Sequence, residues 1–131
     1  RFISSLLSGE QPVIYGDGEQ SRDFTYIDNV VAANFSAAEA PKASGRVINV
    51  ANGVSITLNR LLAELKDLTG NNDVKPLYRD ARVGDVRHSL ADISLARKLL
   101  GYQSKVDLRE GLQRTIDWWK SSRFALQDLQ D

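Results

Sequence analysis

Arg82, Asp85, Arg87 and His88 fall in one short segment, RVGDVRH, around Gly84. A guanidinium is a planar fork of N–H donors that matches phosphate oxygens two at a time. A carboxylate is an acceptor that can take both hydroxyls of a sugar diol. An Arg-x-Gly-Asp turn offers both groups in one loop, and its glycine lets the backbone approach a ligand. That is the chemistry needed to grip a nucleoside diphosphate, with its anionic phosphates and its ribose. A further guanidinium, Arg22, stands at the base of another turn, GDGEQSRD. Taken singly, each of these is equally an ordinary surface arginine, solvated or paired with a carboxylate.

Residues 13–30, VIYGDGEQSRDFTYIDNV, raise a competing possibility. Gly16, Gly18 and Ser21 follow a short apolar run, as in a dinucleotide-binding loop. Such a loop works because it lies between a buried strand and a helix whose free N–H groups face the pyrophosphate. Here the residues after the glycines, SRDFTYI, read as a strand. The stretch reads instead as two short strands joined by a turn, the glycines supplying backbone freedom.

Other chemistries fail on residue type. There is one histidine and no cysteine, which excludes disulfides and a zinc site built on several His or thiolate ligands. His88 itself reads either as a polar loop residue near acidic partners or as a residue lining a ligand site. Ser21, Ser55 and Ser89 lie in no nucleophile elbow. Asp80 and Asp85 could be paired as in a glycosidase, but the arginines around them favour ionised, ion-paired forms. Arg79, Arg82 and Arg87 are too few, and too interleaved with acids, for a nucleic-acid patch.

The elements that must position these groups follow from periodicity. The spacing of Phe2, Ile3, Leu6 and Leu7 predicts a helix before Gly9, followed by the strand PVIY. A second helix is expected over Asn29–Ala40 with Asp28 as its N-cap, carrying Val30, Val31, Asn34, Phe35 and Ala38 on one face. GRVINVAN reads as a strand. Thr57 should cap a helix bearing Leu58, Leu61, Leu62, Leu65 and Leu68, stopped by Gly70. VKPLYR reads as an edge strand, and 79–89 as a charged loop. Asp92 opens a short helix that ends at Gly101. Asp107 and Glu110 form a capping box for a last helix from Leu108 to about Ser121. On it Leu108, Leu112, Ile116 and Trp119 align, and Trp118 and Trp119 read as core anchors. Residues 122–131 are expected to fray.

The bulk numbers agree with one globular domain over 1–131: 42% hydrophobic and 26% charged residues, with 17 basic balancing 17 acidic side chains. Neutral balance predicts no nucleic-acid partner, and apolar runs too short for a bilayer predict no membrane partner. The lack of cysteine suits a reducing cytoplasm. With no methionine and Arg1 at its start, the chain is expected to be a piece of a longer protein.

Three segments, in order, carry a family resemblance: FISSLLSGEQPVIYGDGEQSRDFTYIDNVVAAN, then GRVINVANGVSITLNRLLAEL, then RVGDVRHSLADISLARKLLGYQSKVDLREGLQRTIDWW. They resemble the C-terminal part of the extended short-chain dehydrogenase/reductases that act as nucleotide-sugar epimerases, dehydratases and decarboxylases. The wording is nearest to UDP-N-acetylglucosamine or UDP-glucose 4-epimerases. The resemblance implies an α/β class, α+β-like in this piece: a substrate-binding part of short strands and helices whose N-terminal Rossmann half is missing. It implies a UDP-sugar ligand, with NAD in the parent family and none bound by this chain. Arg22 then matches a contact to ribose or phosphate, Arg82 the diphosphate-binding arginine and Asp85 the ribose-binding carboxylate. Tyr15 lies in the strand that lines the base pocket, and His88 borders the sugar-nucleotide site. The strand at about 46–51 would join the Rossmann sheet.

The departures are equally specific. The family's glycine loop, its acidic ribose reader and its Tyr-x-x-x-Lys pair belong to the missing half. Tyr15, Tyr26, Tyr78 and Tyr102 are followed four places on by Glu19, Val30, Arg82 and Val106. Without that acid/base pair, or a seat for NAD, the chain is expected to bind but not turn over substrate, so no catalytic residue is assigned. Its expected partner is the missing Rossmann domain, or a second copy hiding the same surface. The alternatives are part of a UDP-glucuronate decarboxylase or dTDP-sugar 4,6-dehydratase, or a stand-alone nucleotide-binding or interaction module.

Overall fold

The computed structural model describes residues 1–127. In chain order the elements are α1 (Phe2–Leu7), β1 (Val13–Tyr15), β2 (Ser21–Asp23), α2 (Ile27–Glu39), a 3-10 turn (Pro41–Ala43), β3 (Ser55–Thr57), α3 (Leu58–Thr69), β4 (Leu77–Arg79), α4 (Ser94–Leu100) and α5 (Leu108–Gln127). The class is mixed α/β, as expected.

The strands form two small sheets. β1 lies parallel to β4 with Val13 opposite Leu77 and Tyr15 opposite Arg79. β2 lies antiparallel to β3 with Ser21 opposite Thr57 and Asp23 opposite Ser55. This corrects the expectation drawn from residues 13–30. β1 and β2 flank one turn but enter different sheets, because each is three residues long and finds a better partner elsewhere. β2 also stops at Asp23, short of the predicted RDFTYI.

The helices show which local signals were strong. Thr57 caps α3 through its hydroxyl, which accepts from the Arg60 N–H at 3.2 Å, and Gly70 ends it at φ +74°, where side chains other than glycine are strained. Leu61, Leu62 and Leu65 on one α3 face join Leu6, Ile14, Ile56 and Ile116 in the main core. Burying such a side chain contributes about 1.5–3 kcal/mol. Ala33, Ala51, Ile93, Ala96 and Tyr102 form a second core between α2 and α4. There the Tyr102 hydroxyl donates to the Ala51 carbonyl at 2.9 Å, and burial pushes the phenol's pKa up.

Several cap and strand expectations are corrected. α2 begins at Ile27 after Tyr26, with no side-chain cap; Asp28 lies in its first turn and pairs with Arg114 at 2.7 Å. The side chains that α2 buries are Asn29 and Ala33, while Val31 and Phe35 stay exposed. Among the described residues, 46–50 form no strand and have no ladder partner. The capping box forms by half: Asp107 accepts from the Glu110 N–H at 2.8 Å, but the Glu110 carboxylate turns to Arg114. α5 is described to Gln127, and residues 128–131, which belong to the tail expected to fray, lie outside the described part. Trp118 is 63% exposed and does not anchor the core. Among the described residues no helix is long and apolar enough to cross a membrane.

Candidate functional site

β1 alternates across its pleat. Ile14 is fully buried in the core, while Val13 and Tyr15 face the other way, into an open cleft of about 550 Å³. Phe2, Ser4 and Ser5 of α1, Gln20, Leu58 and Trp119 make most of the remaining wall, and Arg82 and Asp85 reach it from the 80–89 loop.

The sequence-nominated groups meet here from separate segments. Arg22 donates from Nη2 to Asp85 Oδ1 at 2.6 Å and from Nη1 to the Ser21 carbonyl at 2.8 Å. The Arg82 guanidinium lies over the Tyr15 ring, its Cζ 4.0 Å from the ring centroid. That guanidinium lowers the pKa of the Tyr15 phenol, and the positive charges of Arg79 and Arg1 push the same way. His88 stands apart. It does not line the cleft; its Nδ1 is 2.9 Å from the Ser21 Oγ.

What holds the loop in place is its stitching to the turn between β1 and β2. Ser21 donates its N–H to the Arg87 carbonyl at 2.9 Å and accepts from Ser89 N–H at 3.0 Å. Arg87 forks onto both oxygens of Asp17 at 2.8 Å, and this pairing holds the Asp17 carboxyl down at about 2. Asn59 clamps the turn from α3, donating to the Asp17 carbonyl at 3.0 Å and the Glu19 carboxylate at 2.6 Å while accepting from the Tyr78 hydroxyl at 3.0 Å. Gly18 makes that clamp possible. It sits at φ +78°, and a Cβ there would lie 2.0 Å from Asn59 Oδ1. The glycines therefore build a tight turn that aims the loop, and they do not open a helix.

The cleft wall thus presents one arginine resting on an aromatic face and a carboxylate, Asp85, whose partner Arg22 is not itself part of the wall. All are reachable from solvent. An anionic ligand with a flat ring and vicinal hydroxyls could replace each of these internal contacts with one of its own. The sequence reading missed Gln20 and the wall formed by α1 and Trp119. Gln20 looked like an ordinary turn residue, and nothing in its neighbours' spacing marked it for burial.

Comparison with known proteins shows the family. The sequence profile of the GDP-mannose 4,6 dehydratase family matches residues 1–115. The chain belongs to the nucleotide-sugar epimerase/dehydratase family of extended short-chain dehydrogenase/reductases. It is 35% identical to the UDP-glucose 4-epimerase of Mycolicibacterium smegmatis over 92% of its own length and 38% of the relative's. The UDP-N-acetylglucosamine 4-epimerase of Methanobrevibacter ruminantium, solved with UDP-N-acetylmuramic acid, superposes with a TM-score of 0.84 at 45% identity, over 92% of this chain and 38% of that one. The UDP-glucuronic acid 4-epimerase of Bacillus cereus, solved with UDP-glucuronic acid and NAD, superposes with a TM-score of 0.86 at 32% identity, over the same shares. The chain therefore spans about two-fifths of the length of the relatives it matches.

The turn at Gly16–Gly18 does not fit the pyrophosphate of NAD. A dinucleotide seat needs a glycine loop that enters a helix. Gly16 and Gly18 enter β2 instead, and Asn59 occupies the space over Gly18.

Proposed function

We propose that this chain is the UDP-sugar-gripping part of an NAD-dependent nucleotide-sugar 4-epimerase. The observation that carries the reading is the 2.6 Å Arg22–Asp85 pair at the cleft where Arg82 covers Tyr15. Arg82 and Arg22 supply forked donors for the diphosphate, Asp85 accepts from the ribose hydroxyls, and Tyr15 offers its face to the base. His88, bonded to Ser21, steadies the strand that carries Arg22. The 4-epimerase assignment, ahead of a dehydratase or decarboxylase, rests on the UDP-sugar 4-epimerases among the relatives.

The stand-alone module is the second reading. Against it stand Ile27, Val31 and Phe35, which expose an apolar stripe on α2, and Val47, 92% exposed, on the unpaired 46–50 segment. Such surface normally marks a contact. It fits a piece that packs against a Rossmann domain better than one adapted to solitude.

Calorimetric titration tests the proposal. UDP should bind, and Arg82→Ala should weaken it about tenfold to a hundredfold, the loss of one charge-assisted contact, while uridine affinity changes little. Unchanged UDP affinity in that variant would overturn the assignment. In a whole epimerase carrying this segment, the same change should raise KM more than it lowers kcat.

A further inference from the structure

β2 is only 3 residues long, and pairing with β3 gives it few ladder bonds, so what grips its ends decides where Arg22 stands. At one end, Ser21 is tied to the 87–89 segment through its N–H and its carbonyl. At the other, the Asp23 carboxylate accepts from two successive backbone groups, the Asn52 N–H at Oδ1 and the Gly53 N–H at Oδ2, each at 2.9 Å. The turn it grips is itself fixed. Ala51 is buried in the second core, and its carbonyl accepts from the Tyr102 hydroxyl at 2.9 Å. The Asn52 side chain accepts from the Ser104 hydroxyl, and a Cβ on Gly53 would come within 2.7 Å of Ile93 Cδ1. Among the described residues no Lys or Arg forms an ion pair with Asp23, so the two N–H groups hold its charge. Hydrogen bonds to an ionised acceptor are roughly twice as strong as neutral ones.

Resting on the UDP-sugar reading above, we propose that Asp23 is a positioning residue: its hold on the Asn52–Gly53 turn ties β2 to the second core and fixes the reach of Arg22. The pleat puts neighbouring side chains on opposite faces of a strand, so this hold leaves the Arg22 fork free to meet Asp85 at 2.6 Å. Arg22 is not itself part of the cleft wall and reaches it through Asp85, so a small swing of β2 takes its donors out of range. Hydrogen bonds weaken steeply with such misplacement. The residue type matters as well. A carboxylate gives each N–H its own oxygen, whereas an asparagine gives one oxygen and turns a donor toward the second N–H. Asp23 touches no ligand in this role; it acts through Arg22.

A double-mutant cycle on UDP affinity, read from the phosphorus and ring-proton shifts of the nucleotide, tests this. Asp23→Asn should bind UDP about tenfold more weakly, the size of one misplaced charge-assisted contact, while its melting shows that it is folded. Introduced beside Arg22→Ala, the same change should cost less than about twofold, because no guanidinium is left to aim. A residue that merely steadies the fold would lower UDP affinity by the same factor in both backgrounds. Should Asp23→Asn not fold, Asp23→Glu takes its place in the cycle, since it keeps both acceptors and displaces the turn. Unchanged UDP affinity in the single variant, or an equal loss with and without Arg22, would overturn the role of Asp23 and leave the UDP-sugar reading standing. Failure of wild type to bind UDP at all would remove both.

Discussion

Arg22 and Asp85 are roughly a third exposed, so their ion pair adds little to stability. Its value lies in position. Under the proposed function it holds two charges against each other until a diphosphate and a ribose compete for them. Arg82 is parked in the same way on Tyr15, and there the parking has a signature. A cation beside a phenol favours the phenolate, so Tyr15 titrates below the usual tyrosine value. Removing that cation disfavours the phenolate, and Arg82→Ala should move the Tyr15 titration upward toward about 10. UDP should produce the same upward movement in the wild-type chain, because it draws Arg82 away and brings anionic charge close. NMR of tyrosine labelled at the ring Cζ reads both effects without loss of the fold. A Tyr15 titration that ignores Arg82→Ala would mean that the guanidinium does not rest on that ring in solution.

At the scale of elements, Asn29 does the work that no pattern announced. Its amide is buried on α2. It donates to the Val106 carbonyl at 2.8 Å and the Ser104 hydroxyl at 2.9 Å, and accepts from the Lys105 and Val106 N–H groups at 3.0 Å each. This one side chain completes the loop that leads into α5, whose Trp119 closes the cleft. Asn29→Ala would strand buried backbone groups and should cost about 2–3 kcal/mol, seen as a lower urea midpoint with an unchanged slope. An unaltered midpoint would show that water replaces the amide. The contrast with α3 explains what was legible. Thr57, the leucine spacing and Gly70 are local signals, and they placed that helix to the residue. The pairing of β1 with β4 joins residues far apart in sequence, and nothing within VIYGDGEQSRD reveals it. The same holds in the site: Arg22, Arg82 and Asp85 could be nominated by charge and turn context, whereas the burial of Gln20 depends on what packs over it.

The whole molecule carries a surface that its own elements do not cover. Ile27, Val31 and Phe35 recur at one-turn spacing along α2, at 59%, 43% and 70% exposure, and residues 46–50 leave their backbone without a sheet partner. An apolar stripe and an unpaired backbone segment are each prone to pairing, and together they leave the isolated chain poorly matched to water. The spacing on α2 was read correctly as apolar, but Val31 and Phe35 are left exposed by the described residues. The isolated chain should therefore associate with itself as concentration rises. By sedimentation, its weight-average mass should climb above the 14.6 kDa of the monomer. The double change Val31→Asp and Phe35→Asp should hold it at the monomer mass with an unchanged far-ultraviolet dichroism spectrum, because neither side chain belongs to a core. UDP affinity should be unaltered in that variant, since the cleft is lined by α1, β1 and the 80–89 loop and not by α2. A wild-type chain that stays monomeric at high concentration would argue for the stand-alone module and against a face built to be covered.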